Sequence, residues 1–126
     1  MDKAKQLKYW IEGAESDINS AEILVSNKKY LHGLFFCHLT IEKTLKALWV
    51  KEKEDFPPKT HNLIYLIDNL ENVSLDEQQV LFLSVLMKYQ LEGRYPEYYP
   101  KTPDIEVIRK YLLNTKDLFE CLKAKL

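Results

Sequence analysis

His38, Thr40, Glu42, Lys43 and Lys46 lie in the most apolar stretch of the chain, residues 31–49, LHGLFFCHLTIEKTLKALW. Polar groups in such a place must find partners or face water in a cleft. At helical spacing His38 and Glu42, and then Glu42 and Lys46, are i,i+4 neighbours, the second pair with the acid on the N-terminal side, which is the better orientation. Two other segments add reactive groups. His61 follows Pro57, Pro58, Lys59 and Thr60, where a helix is expected to begin and outward amides suit an anion. After Gly93, the run Arg94-Tyr95-Pro96-Glu97-Tyr98-Tyr99-Pro100 sets one guanidinium beside three phenols. A guanidinium clamping phosphate while a tyrosine stacks on a base would make a nucleotide site, whereas the same aromatics could line a protein interface. The plainer alternatives are a charged seam between helices, a capping role for His61, and tyrosines that cover the end of a bundle while Arg94 pairs with a carboxylate.

Other chemistry is missing from the pattern. The chain has no Gly-rich phosphate loop, no G-x-S-x-G, no H-E-x-x-H and no Cys/His spacing suited to zinc. His32 and His38 lack a third ligand at metal spacing, so neither a metal nor a cofactor is expected. Glu52 and Glu54 sit in a charged KEKED tail and read as solvated rather than as an acid/base pair. Cys37 and Cys121 form no C-x-x-C and read as buried free thiols, which fits a reducing, cytoplasmic setting.

Composition says what scaffold must position these groups. At 126 residues, 46% hydrophobic and 29% charged, the chain is long enough for one domain, residues 1–126, with its own core. Three glycines and five prolines supply too few turns for an all-β chain, so the expectation is all-α. Eighteen basic against nineteen acidic residues give no global field to gather nucleic acid, and RNA ranks behind a nucleotide or a protein as partner. Arg94 and Arg109 are the only arginines, which limits bidentate phosphate recognition to two places. No apolar run reaches the roughly 18 residues of a membrane span, and no membrane partner is expected.

Five helices follow from periodicity. Leu7, Trp10, Ile11, Ala14, Ile18, Ala21, Leu24 and Val25 stripe a first helix over residues 2–26, with Gly13 marking a candidate close crossing. The break at residues 26–29 is short enough to make an antiparallel hairpin with the second helix, which should be central because its first half is apolar all round. Thr60 is placed to cap a short third helix ending near Glu71. Ser74 and Glu77 form an S-x-x-E capping box for a fourth, ending near Leu91 before Gly93. Thr102 caps a fifth with Pro103 in its first turn, running to Lys123. Val80, Leu81, Phe82, Leu83, Val85, Leu86, Met87 and Tyr89 cover more of the fourth helix than a monomer's edge helix needs to bury, which suggests a dimer interface.

Three segments in this order, HLTIEKTLKALW (38–49), PKTHNLIYLI (58–67) and GRYPE (93–97), resemble the HEPN family, and its helical pattern spans the chain. The resemblance implies an antiparallel, up-and-down four-helix bundle with a short fifth helix, usually a homodimer. It matches Glu42, Lys43 and Lys46 to the family's E-K-x-x-K, His61 to its T-H-x-L, and Arg94, Tyr95 and Pro96 to its R-Y-P turn. These residues, with Tyr99, are expected to line a shared nucleotide cleft. Family members are proposed to bind nucleotides, here ATP or GTP. Many are encoded beside a small nucleotidyltransferase as halves of toxin–antitoxin pairs, and a large branch are metal-independent ribonucleases with an R-x(4-6)-H motif. This chain departs from that motif: Tyr99 stands where R-x4-H needs histidine, and no histidine follows Arg109. A tyrosine, with a pKa of about 10, is a poor base at neutral pH. The resemblance therefore implies a non-catalytic, nucleotide- or partner-binding protein first, a ribonuclease toxin with an atypical site second, and a protein-interaction module third.

Overall fold

Two 24-residue helices, α1 (Lys3–Ser26) and α2 (Tyr30–Lys53), form the hairpin that the short break predicts. The computed structural model describes residues 1–126. Asp2 caps α1 by accepting the Lys5 amide at 3.1 Å. At the other end Lys28 takes a left-handed φ of 62°, and the Lys29 amide reaches back to the Leu24 carbonyl at 2.8 Å, a Schellman-type stop. The antiparallel register is visible in its contacts. Lys3 meets Glu54, Asp17 meets Lys43, and Gly33 lies against Ala21 and Val25. Gly13 is indeed at a close crossing: a Cβ there would come within 3.1 Å of Lys43 Cδ.

The remaining elements are α3 (Leu63–Asp68), α4 (Glu77–Met87), a single 3₁₀ turn at Pro96–Tyr98, and α5 (Ile105–Lys123). Glu15 and Glu22 of α1 pair with Lys123 and Lys116, so α5 runs opposite to α1. Gln79 lies beside Cys121, and Tyr89 beside Tyr111, so α4 runs opposite to α5. The four long helices thus alternate in direction. The fold is all-helical, four long helices and a short one.

The apolar run does make α2 central: every other helix packs on it. Leu34, Cys37, Ile41 and Leu45 are fully enclosed, facing Leu63 and Leu66 of α3, Leu83 and Leu86 of α4, and Ile108 and Leu122 of α5. α4 buries only Leu83 and Leu86; Leu81 is exposed, and Val80, Phe82, Val85 and Met87 are half covered. Between α4 and α5 runs a groove of about 360 Å³ floored by Phe82 and Leu118.

Three caps fall two residues later than the sequence suggests. α3 is capped by Asn62, which accepts the Tyr65 amide, while the Thr60 hydroxyl accepts the Asn62 amide in the loop before it. α4 begins with an Asp76/Gln79 box rather than Ser74/Glu77. α5 starts after Asp104, not Thr102. In α3 and α4 an Asn or Asp, at least as good a cap as Ser or Thr, stood nearer the first apolar residue and accepts an amide of the first turn, whereas Asp104 precedes α5 without a side-chain cap bond. α4 also stops at Met87, four residues early; i→i+3 bonds at Lys88, Tyr89 and Gln90 tighten the chain, and Gly93 turns it with φ 77°.

Two other expectations are corrected. Cys121 is exposed, leaving Cys37 as the buried thiol. Glu52 is not a solvated tail residue, since its carboxylate accepts the amides of Glu71 and Asn72 at 2.7 to 2.9 Å and fixes the turn after α3.

Candidate functional site

Glu42 sits at the middle of α2 and is 4% exposed. An unpaired carboxylate there would be costly, and the protein surrounds it with donors. Lys46, one turn on, places its ammonium 3.0 Å from Oε2, as the i,i+4 spacing predicts, and lies over the Trp10 ring of α1 at 5.3 Å. His61 donates from Nδ1 to Oε1 at 2.8 Å. His38, one turn before, stands 3.7 Å from the same oxygen and donates from Nε2 to the His61 backbone carbonyl at 3.0 Å. A carbonyl only accepts, so that bond fixes the His38 tautomer, and burial of the ring lowers its pKa.

His61 precedes the Asn62 cap rather than occupying the first turn of α3. Its ring is set by α2 instead. The outer nitrogen, Nε2, faces Glu92 Oε2 at 3.0 Å, and the side chain is 47% exposed. One imidazole thus bridges a buried carboxylate on α2 and an exposed one on the turn after α4. Two carboxylates, one ammonium and a doubly protonated ring would sum to zero charge. The groups bond directly to each other and are not gathered around a common metal point.

That bridge ties down the turn carrying Arg94. The Arg94 guanidinium bonds the carbonyls of Lys88, Gln90 and Tyr98, closing residues 88–98 into a knot. No carboxylate lies within ion-pair distance of it, so its charge is oriented but not neutralised. Tyr95 and Tyr98 project from this knot, 71% and 66% exposed. Tyr99 is different, half covered with its ring edge-on to His32 at 6.2 Å.

Of the seven residues singled out in the sequence, the structure therefore joins Glu42, Lys46 and His61 directly, and connects them through Glu92 to the turn bearing Arg94 and Tyr95. Lys43 turns the other way and pairs with Asp17 of α1 at 2.7 Å. One residue along a helix rotates a side chain about 100°, enough to take it from one groove to the next. Lys46 is engaged by Glu42 and Trp10, and Tyr99 packs edge-on against His32. Glu92 was not signalled by any motif: it lies 50 positions from Glu42, and no local spacing connects them. Trp10 read only as a member of the α1 stripe.

Comparison with known proteins agrees with this architecture. Residues 7–125 match the family model described as "HEPN domain". Among solved structures, the chain is similar to TT1696 from Thermus thermophilus, with TM-score 0.81, 23% identity, and 96% of this chain and 98% of that one covered. It is also similar to ST0689, described as an archaeal HEPN homologue, with TM-score 0.63, 17% identity, and 94% and 96% covered. At these identities the likeness establishes the fold alone. No curated protein matches the sequence.

Proposed function

The chain belongs to the HEPN domain family, and from that premise we propose that it is a non-catalytic binding domain whose contact element is the turn of residues 93–99. Its ligand is a nucleotide, or the nucleotide-carrying face of a small nucleotidyltransferase partner in a toxin–antitoxin type pair. The observation that carries this reading is Arg94: a guanidinium held by three neutral carbonyls, with no ion-pair partner and flanked by exposed Tyr95 and Tyr98. A fixed cation with donors to spare beside free aromatic faces matches a phosphate joined to a base. The protein works as a cytoplasmic homodimer, with the under-covered apolar face of α4 supplying the contact. Calorimetric titration of ATP and GTP at low salt tests the site. Wild type should bind, and Arg94→Ala and Tyr95→Ala should each weaken binding by about tenfold or more; no heat with either nucleotide rejects nucleotide binding and transfers the turn to a protein ligand.

One observation favours a second reading, a metal-independent ribonuclease. A buried carboxylate bonded to Nδ1 of a half-exposed histidine orients the imidazole as a general base requires. Incubation with mixed RNA decides it: cleavage abolished in His61→Ala supports the activity, and intact RNA with wild type ends it.

A further inference from the structure

We propose that His61 is a proton-dependent clasp, fastening the tyrosine turn to α2 when its ring carries two protons and releasing Glu92 when it carries one. The inference deepens the binding reading above, since it regulates the same turn, but its physical argument is independent of any ligand.

Both ring nitrogens of His61 face carboxylate oxygens, Glu42 Oε1 at 2.8 Å and Glu92 Oε2 at 3.0 Å. An ionised carboxylate accepts and cannot donate, so two such bonds need two N–H groups and only the imidazolium has them. A neutral ring keeps one. The choice between its partners is set by burial. Glu42 is enclosed, and without the Nδ1 proton its Oε1 would have no donor, since His38 uses its one proton on the His61 carbonyl, while Glu92 is exposed and water can replace what it loses. The remaining proton therefore stays on Nδ1. Nε2 then presents a lone pair to the Glu92 carboxylate, and the contact becomes repulsive.

The surrounding charges do not offset this change. On α2, Lys46 is already paired with the other oxygen of Glu42, and His38 donates its Nε2 proton to the His61 carbonyl. On the turn, Arg94 is directed at carbonyls. No cation other than the ring itself lies within ion-pair distance of Glu92. Loss of the proton thus frees the Arg94-closed turn from α2, so that it frays more readily, and in the same event exposes a neutral Nε2 lone pair at the surface.

Amide hydrogen exchange of the unliganded protein tests the clasp at Glu92, Arg94, Tyr98 and Tyr99, whose amides are bonded within the turn. After correction for intrinsic exchange, wild-type protection should be lower at about pH 8.5 than at about pH 6, by roughly two- to fivefold, the scale of an exposed charged contact. Glu92→Gln should remain protected at both values, because a carboxamide accepts from the imidazolium and donates to the neutral ring. Glu92→Ala should show the lower protection at both. Equal wild-type protection across the range, or a Glu92→Gln profile that follows wild type, overturns the proposal. Because no ligand is present, a lack of nucleotide affinity would remove the binding reading without touching this result, and the reverse also holds.

Discussion

Removing one partner of the Glu42–Lys46 pair should be among the most damaging single changes in the protein. The two side chains are 5% and 7% exposed and 3.0 Å apart, so solvent screens neither. In Glu42→Leu the Lys46 ammonium keeps only the Trp10 face, and the Nδ1 proton of His61 loses its acceptor. Breaking a buried pair from one side costs about 3–5 kcal/mol. With an unfolding entropy of about 2.1 cal/mol/K per residue over this chain, about 4 kcal/mol lowers Tm by roughly 15 °C. Lys46→Met should cost a similar amount. The double variant, Glu42→Leu with Lys46→Met, should recover to within about 2 kcal/mol of wild type, because replacing both charges with apolar groups removes the desolvation penalty and leaves only the His61 bond unmade. Urea unfolding followed by circular dichroism at constant m-value reads all three. If either single substitution costs under about 1 kcal/mol, the pair is behaving as an exposed one and the network is not buried as described.

Other consequences are as direct. A Cβ on Gly33 would stand 2.7 Å from Val25 Cγ2 and 3.4 Å from the Ala21 carbonyl, so Gly33→Ala should destabilise by about 1–2 kcal/mol despite alanine's better helix propensity, and Val25→Ala in the same chain should relieve part of that overpacking; equal midpoints for the single and double variants would contradict it. Burial raises the Cys37 thiol to about 11, whereas Cys121 is exposed, so a disulfide reagent at mildly alkaline pH should titrate one thiol in the native protein and two in denaturant; two fast native equivalents would show that α5 does not seal the core over Cys37. Because burial lowers the His38 pKa, the unfolded chain binds the proton more readily. The stability this group confers is complete above its unfolded value of about 6.5 and is lost as pH falls towards the lower folded value. Urea midpoints should therefore fall below about pH 6.5 in wild type and less steeply in His38→Gln, which keeps a donor for the His61 carbonyl; parallel pH profiles would remove His38 from the account.

The scaffold was largely legible in one dimension because helix formation is a local matter. The 3.6-residue stripe of α1, the all-round apolar character of residues 31–49 and the short break at residues 26–29 point to an antiparallel helical bundle with α2 at its centre, and the structure has it. Legibility weakened at the ends. Thr60, Ser74 and Thr102 and the Asx residues two places after them are all acceptable caps, and only packing of the first buried apolar residue decides between them. The i,i+4 contacts of Glu42 with His38 and Lys46 were likewise readable, since a helix itself brings those side chains together.

What the sequence by itself determined is the inventory: an all-helical chain, a central helix carrying misplaced polar groups, a histidine after a proline break, and a turn with one arginine and three tyrosines. What only the tertiary structure decided is which of these groups meet. Lys43 and Lys46 are three residues apart, yet one pairs with Asp17 of α1 and the other is sealed against Glu42 and Trp10. His61 and Glu92 are 31 positions apart in the chain and 3.0 Å apart in the fold. Local pairs follow from helical geometry, which depends on nearest neighbours alone; long-range pairs depend on how three or four helices rotate and settle against each other to bury their apolar faces, and no spacing rule encodes that rotation.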